Sequence, residues 1–191
     1  MWKRLKTCFY CSLFIGLSLS SQAQIEWSSF PTNTDSISLR KQKIRILDSA
    51  ICQFRQLRYL DLGKNKLNTL PPCMKQLPIQ TLILEKNGFG RIPLVIREMN
   101  HLLLLNMGGN SLDSIPAWLP DLKHLKTLIA YDNNLSYFPR ELRIMTTLRV
   151  MDLGQTLYNR DEMSLLESSF PKIEILFSPP CSCPSSGVVI Y

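Results

Sequence analysis

Short runs of alternating apolar and polar residues return along this chain at a nearly constant interval. In one run, Leu60 and Leu62 alternate with Tyr59, Asp61 and Gly63, and a period of two is typical of a half-buried strand. Each run leads to an asparagine, a further apolar residue and an apolar-proline step. Because proline lacks a backbone donor, the predicted strand cannot continue through it. The four clear copies span residues 57–71, 79–93, 102–116 and 125–139.

Four asparagines mark the length of the repeating unit, at intervals of 22, 23 and 23 residues. They are Asn65, Asn87, Asn110 and Asn133. Weaker copies flank them, because Gln42 and Thr156 occupy the asparagine position 23 residues before the first and 23 residues after the last. A last strand is predicted around Ile173, Ile175 and Leu176. Terminal units of a repeat array face solvent on one side and are expected to depart from the pattern.

This pattern resembles the leucine-rich-repeat family, whose signature L-x-x-L-x-L-x-x-N-x-L returns every 20–29 residues. The resemblance covers roughly residues 34–178. It implies an α/β solenoid of about six to seven repeats, with a curved parallel sheet inside and irregular or short helical returns outside. It also implies that the repeat asparagines are structural and hydrogen-bond the backbone of adjacent turns.

The first 23 residues have the features of a secretory signal peptide. Lys3, Arg4 and Lys6 precede an apolar run over residues 8–19, and a small residue stands at Ala23. That run is too short to span a bilayer, which takes about 20 helical residues. Cleavage near Ala23 is therefore expected, with the mature protein secreted, periplasmic or at the cell surface and not inserted in a membrane. It would lower the formal net charge from +7 to +4.

The rest of the chain divides into a predicted N-terminal cap at 24–36, repeats at 37–158, and a C-terminal cap and tail at 159–191. Asn159 followed by Glu162 forms a capping-box-like helix start. Met163, Leu166 and Phe170 then follow at helical spacing. We therefore expect a short helix before Pro171, over the end of the core. The apolar tail 188–191 either docks on the last repeat or stays loose.

Catalysis and metal binding have little support in these residues. His101 and His124 hold equivalent positions in consecutive repeats, but no Cys, Asp or Glu shares that position to complete a metal site. Asp61 and Asp152 lie too many repeats apart for a catalytic pair, and no nucleophile or phosphate-loop motif is present. The sequence predicts a protein that is not an enzyme and needs no cofactor. Charge is spread without a run of five like residues, which argues against a nucleic-acid partner.

Four cysteines remain after signal cleavage, and an exported protein can form disulfides. Cys52 and Cys73 lie in successive return segments but two repeat positions out of register, so the sequence leaves open whether they form a disulfide. Cys181 and Cys183 are separated by one residue and are poorly placed to bond each other. They are expected to pair elsewhere or to remain free thiols.

Strand residues between the buried leucines project to the concave side of a solenoid, where they form a mixed apolar and polar surface. Such a surface indicates an interaction site. By the resemblance, the expected partner is another protein. A structural or adhesive envelope role and carbohydrate binding remain alternatives. The candidate contact residues are Tyr59, Asp61, Ile83, Glu85, Leu104, Asn106, Ile129, Tyr131 and Asp152.

Overall fold

The computed structural model describes residues 25–182 and 187–191. Its main feature is a seven-stranded parallel sheet in the order β1-β2-β3-β4-β5-β7-β8. The pair β6 and β9 forms a second, two-stranded sheet. The strands are β1 (Ser36–Ser38), β2 (Tyr59–Asp61), β3 (Thr81–Ile83), β4 (Leu104–Asn106), β5 (Thr127–Ile129), β6 (Tyr137–Phe138), β7 (Val150–Asp152), β8 (Glu174–Leu176) and β9 (Val189–Ile190).

Each strand of the main sheet pairs in parallel with its neighbours in the solenoid, without a shift of register. The central residue of each strand points inward, so Leu60, Leu82, Leu105 and Leu128 stack in one fully buried row. A unit this thin cannot enclose its own apolar residues, and stacking of neighbours supplies the core. The predicted solenoid with a parallel inner sheet is confirmed.

Short 3-10 helices form the outer side of the solenoid, in agreement with the predicted short helical returns. Pro71, Pro93 and Pro139 are the N-cap residues directly before three of them, an extended position that the fixed φ angle of proline allows and where no backbone N–H is needed for a helical bond. Inward side chains of the returns, such as Met74 and Ile96, close the core. The 3-10 helices span Trp27–Ser29, Ser49–Gln53, Pro72–Gln76, Leu94–Glu98, Leu119–Asp121 and Arg140–Ile144.

The repeat asparagines join neighbouring turns through their side chains. Asn133 donates from Nδ2 to the carbonyl oxygens of Met107 (3.1 Å) and Ala130 (3.0 Å), and its Oδ1 accepts from the Leu112 amide (2.9 Å). Asn65, Asn87 and Asn110 make the same set of bonds in their own repeats. Backbone groups at these bends are thus paired, as buried backbone requires.

An aromatic cluster covers the N-terminal end of the core. The Trp27 ring lies 5.9 Å from Phe54, and Phe30 meets Phe54 edge-on at 6.1 Å. A disulfide joins Cys52 to Cys73 with a Cα–Cα distance of 6.0 Å. The two-residue offset between them amounts to only about 4 Å along a 3-10 coil, so the repeat register does not prevent the bond. The sequence alone had left this pairing open.

The C-terminal end carries the predicted helix, α1 (Arg160–Ser169). The Asn159 side chain accepts from the Glu162 amide and Glu162 accepts from the Asn159 amide, which completes the capping box. Buried Tyr158 donates its hydroxyl to the Leu135 carbonyl oxygen at 2.6 Å. Burial, with a smaller effect of the Glu162 charge, raises the pKa of Tyr158 well above its usual range.

The predicted last strand is present as β8, and the tail is not loose. Strand β9 pairs in parallel with β6, and the Arg140 amide donates to the Tyr191 carbonyl oxygen at 2.7 Å. Cys181 is disulfide-bonded, so the free-thiol alternative is wrong for this residue. Its partner lies outside the described residues, as do Cys183 and the expected signal peptide at 1–23. In residues 25–182 and 187–191, no helix has the length and apolar character to cross a membrane.

Candidate functional site

The strand register arranges the concave residues in three parallel rows. The first row runs from Tyr59 through Thr81, Leu104 and Thr127 to Val150. A second row lies beside it and consists of Asp61, Ile83, Asn106, Ile129 and Asp152. A third row follows the strands, two residues further along each repeat, and contains Arg40, Gly63, Glu85, Gly108, Tyr131, Gly154 and Ser178.

Apolar side chains in the first two rows form a strip across the middle of the sheet. Ile83, Leu104, Ile129 and Val150 are each half-buried, and Tyr59 at the N-terminal side is 36% exposed. On successive strands they alternate between the two rows, and such diagonal neighbours lie about 7–8 Å apart, within reach of long side chains. An apolar strip of this kind on a water-facing surface is a feature of interaction sites. We call these five residues the concave strip.

Three predicted contact residues also support the bends after the strands. Asp61 Oδ1 accepts from the Gly63 amide at 2.8 Å, and Asp152 Oδ1 accepts from the Gly154 amide at 2.9 Å. Asn106 makes the equivalent bond to the amide two residues ahead. Asp61 and Asn106 are only 6% and 9% exposed. Both lie in the predicted row, but they offer a partner little surface because they serve the bend.

Large residues alternate with glycine in the third row, and the glycines make room for them. A Cβ at Gly108 would stand 2.6 Å from Tyr131 Cδ1, and a Cβ at Gly63 would stand 2.5 Å from Arg40 Nη1. Such distances are shorter than van der Waals contact, so any side chain there would displace the neighbour. The glycines therefore let Arg40 and Tyr131 lie flat along the sheet.

Glu85 is the centre of a polar network on this face. Its carboxylate forms a salt bridge with Arg40, two repeats away, and Arg40 also contacts Asp61 at 3.4 Å. Tyr131 donates its hydroxyl to Glu85 Oε2 at 3.4 Å, and Asn106 Nδ2 donates to the same oxygen at 3.3 Å. The network links side chains from five consecutive repeats and holds them beside the concave strip. We call Arg40, Asp61, Glu85, Asn106 and Tyr131 the Glu85 network.

The network shifts the titration of two of its members. Burial raises the pKa of the Tyr131 phenol, and the negative charge of Glu85 and the hydrogen bond to it raise it further. For Arg40, burial lowers the pKa of the guanidinium. The hydrogen bond and charge of Glu85, together with Asp61, outweigh that effect and raise the pKa overall. Arg40 stays charged and Tyr131 stays neutral at physiological pH, which keeps the network intact.

Replacing Glu85 with glutamine is expected to lower the pKa of Tyr131, because a neutral amide no longer disfavours the phenolate. Burial still holds that pKa above its usual value. The fold favours the neutral phenol, so Tyr131 contributes stability that is present below about pH 10 and is lost as the pH rises through the folded-state pKa. Glu85→Gln reduces this alkaline loss and costs about 1 kcal/mol at neutral pH through the weakened Arg40 pair.

NMR of tyrosine labelled with carbon-13 at Cζ measures the titration directly. The matched control is Glu98→Gln, which removes a carboxylate paired with Lys75 on the outer surface. An unchanged Tyr131 titration in Glu85→Gln, or an equal shift in Glu98→Gln, contradicts the network.

Outside the concave face, the described surface carries shallow clefts. One of about 650 Å³ lies on the outer side between two returns, lined by residues that include Leu70, Lys75, Leu94 and Trp118. In the described part of the chain, no three His, Cys, Asp or Glu side chains group closely enough to hold a metal ion. Neither histidine position contributes to the concave strip or the Glu85 network.

The comparisons with known proteins agree with this geometry. A family model described as Leucine Rich Repeat matches residues 56–77. The chain is a leucine-rich-repeat protein. A leucine-rich-repeat protein of Leptospira interrogans has a similar structure, with a TM-score of 0.68 and 28% identity over 75% of this chain and 37% of that one. An internalin of Listeria monocytogenes shares the fold at a TM-score of 0.55, 20% identity, and 73% and 39% coverage.

Among curated relatives, a flightless-1 homolog of Caenorhabditis elegans is 32% identical over 56% of this leucine-rich-repeat protein and 9% of its own length. The first relatives found are matched over only 6–10% of their length. The similarity therefore concerns the repeats. Repeats of this kind are scaffolds that generally bind other proteins and do not themselves catalyse reactions.

The sequence located the concave rows but missed one part of the site. Arg40 was not among the predicted contact residues, although it holds the same repeat position as Glu85 and Tyr131. The alternation of large residues with Gly63, Gly108 and Gly154 was the signal that could have revealed it, because it shows that side chains in this row share space across repeats.

Proposed function

We propose that this protein is exported and binds another protein on its concave face. The observation that carries the proposal is the concave strip, a contiguous group of half-exposed apolar side chains bordered by the Glu85 network. Protein interfaces typically have an apolar, aromatic centre and a polar rim. The inward leucines and repeat asparagines are fully used by the fold, so recognition falls to the residues between them. We propose no catalytic role.

The short, paired strands support this role because they hold the strip rigidly. Leu104 and Ile129 lie on adjacent, paired strands, and Tyr131 is held by its hydroxyl. When a partner covers these side chains, this protein loses little conformational entropy, since the side chains are already ordered. Export rests on the basic and apolar pattern of residues 1–23.

The test compares two variants with four alanine substitutions each. In the concave variant, Tyr59, Ile83, Ile129 and Tyr131 are replaced. In the control variant, four exposed apolar side chains elsewhere are replaced: Leu94, Tyr137, Ile144 and Leu165. Wild-type protein recovered outside the cytoplasm is expected to begin at Gln24. Immobilised proteins then capture partners from surface extracts, and mass spectrometry quantifies them.

At least one protein is expected to be enriched on the wild type and the control variant and reduced at least tenfold on the concave variant, because interface anchors typically contribute more than 1 kcal/mol each. Circular dichroism checks that both variants are folded. Equal capture by all three proteins contradicts the proposal. A glycan-array signal abolished by Tyr131→Ala would instead indicate carbohydrate binding, and weak capture of many proteins would indicate an adhesive role.

A further inference from the structure

Six cations lie together at one lateral edge of the solenoid, where the strands of the first three repeats end and the chain bends outward. We name this surface the basic edge. It is distinct from the concave strip, and neither of the two surfaces depends on the other. Its members are Lys41, Lys43, Arg45, Lys64, Lys66 and Lys86.

Backbone hydrogen bonds show that these residues occupy consecutive levels of the solenoid. The Lys41 amide donates to the backbone carbonyl oxygen of Gly63 at 3.0 Å, and the Lys64 amide donates to the backbone carbonyl oxygen of Glu85 at 2.8 Å. Each acceptor residue directly precedes the next lysine of the set: Gly63 precedes Lys64, and Glu85 precedes Lys86. Lys41, Lys64 and Lys86 therefore form a column with a spacing of about 4.8 Å. The Lys66 amide donates to Ile44, which places Lys66 beside Lys43.

The positive charge of the basic edge is not neutralised by a salt bridge among the described residues. Within residues 25–182, none of its six cations forms an ion pair. Two carboxylates of these repeats, Asp61 and Glu85, point to the concave face and are paired with Arg40. In later repeats the column continues as Gly109, Asp132 and Gln155, so the positive charge is confined to the N-terminal half.

Backbone conformation does not account for these lysines. Lys41, Lys64 and Lys86 have φ angles of 60°, 57° and 51°, a region that glycine, asparagine and aspartate adopt more readily than lysine. The column does use Gly109 and Asp132 further along, at φ angles of 64° and 52°. Lysine is thus found three times in succession where local geometry favours other residues. The charge itself is the property that these positions share.

We infer that the basic edge docks the protein onto an anionic lipid bilayer surface. Five of its six cations are lysines, whose compact ammonium groups on flexible stems suit diffuse attraction to headgroups more than the planar, paired recognition typical of arginine. Ile46 lies next to Arg45 and is 67% exposed, so an apolar side chain can enter the headgroup region beside the cations. Basic clusters of four to eight residues bind anionic membranes in this way.

The test measures binding of the full chain to two kinds of vesicle at about 0.15 M salt. One contains only phosphatidylcholine, and in the other about a third of the lipid is phosphatidylglycerol. The edge variant replaces Lys41, Lys64 and Lys86 with glutamine. The control variant changes the same number of exposed lysines elsewhere, at Lys123, Lys126 and Lys172.

Wild type is expected to bind the anionic vesicles and not the neutral ones. The edge variant is expected to bind roughly 100-fold more weakly, since each lysine near a surface adds about a factor of five. The control variant should lose about threefold or less, because its lysines do not face the membrane. Ile46→Ser should weaken binding several-fold without changing thermal stability. The concave variant should bind vesicles like the wild type, which separates this inference from the proposed function.

Equal losses in the edge and control variants overturn the inference, because net charge alone would then explain binding. A wild type that ignores anionic vesicles overturns it as well. Binding to a soluble sulfated polysaccharide or an acidic peptide, without binding to vesicles, assigns the basic edge to a different class of partner and also overturns it. Thermal unfolding of each variant establishes that the fold is retained.

Discussion

Replacing Asn133 with alanine is expected to lower the free energy of unfolding by about 3–5 kcal/mol. The side chain is 6% exposed, and alanine cannot make any of its hydrogen bonds. The carbonyl groups of Met107 and Ala130 and the amide of Leu112 lose their side-chain partner. A buried polar group left unpaired costs about 1–3 kcal/mol. Several such groups are affected together, so the loss exceeds that of a typical single substitution.

Chemical denaturation followed by circular dichroism measures this effect. The control is Asn134→Ala, which removes the same type of side chain one residue later. The Asn134 side chain is exposed, and the hydrogen bond of this residue to the Leu112 carbonyl oxygen comes from its backbone amide. That variant should stay within about 0.5 kcal/mol of the wild type. Similar stability of the two variants would show that the asparagine ladder contributes little. Because repeat arrays can unfold in parts, hydrogen exchange at Leu112 serves as a local readout.

Replacing Leu105 with alanine is expected to cost about 2–5 kcal/mol. Leu105 lies at the centre of β4, has no exposed surface, and pairs in register with Leu82 and Leu128. Alanine removes apolar contacts and leaves a cavity that the stacked repeats on either side can fill only in part. The position is in the middle of the array, so neither terminal cap can move in to close the gap.

The neighbouring leucine provides the control for this prediction. Leu104 points to the concave face and is half-buried, so Leu104→Ala should cost less than about 1 kcal/mol and should weaken binding of a captured partner. Leu105→Ala should show the opposite pattern, with lowered stability and full binding at a temperature where the protein is folded. Thermal unfolding and binding measured on both variants test this. Equal stability losses would mean that the two rows of the strand are not distinct.

Structural features that depend on residues close together in the sequence were predicted well. The alternation around Leu60 and Leu62 predicted the strands, and the pair Asn159 and Glu162 predicted the helix start, because both depend on residues a few positions apart. The concave rows were also predicted, since a period of two decides which side chains share a face. The asparagine bonds followed from the family resemblance, and the structure shows the same set at four levels.

Contacts between segments far apart in the chain were beyond such reasoning. The Cys52–Cys73 bond depends on how two 3-10 coils pack, and the pairing of the tail with Tyr137–Phe138 depends on its path around the C-terminal cap. The Glu85 network joins Arg40 to Tyr131 across 91 positions of sequence numbering. Its members meet because the glycines between them leave space.

The distribution of charge shows most clearly which features the sequence determines and which the tertiary structure determines. In the sequence the lysines are scattered, without a run of five like charges, and their spread argued against a nucleic-acid partner. A repeat of 22 or 23 residues brings Lys41, Lys64 and Lys86 into one column, since each turn of the solenoid returns the chain to the same edge. The sequence by itself thus determined the repeat, its strands and the inward leucines, through local period and apolar burial. Only the tertiary structure decided which polar and charged side chains became neighbours, because stacking sets those distances.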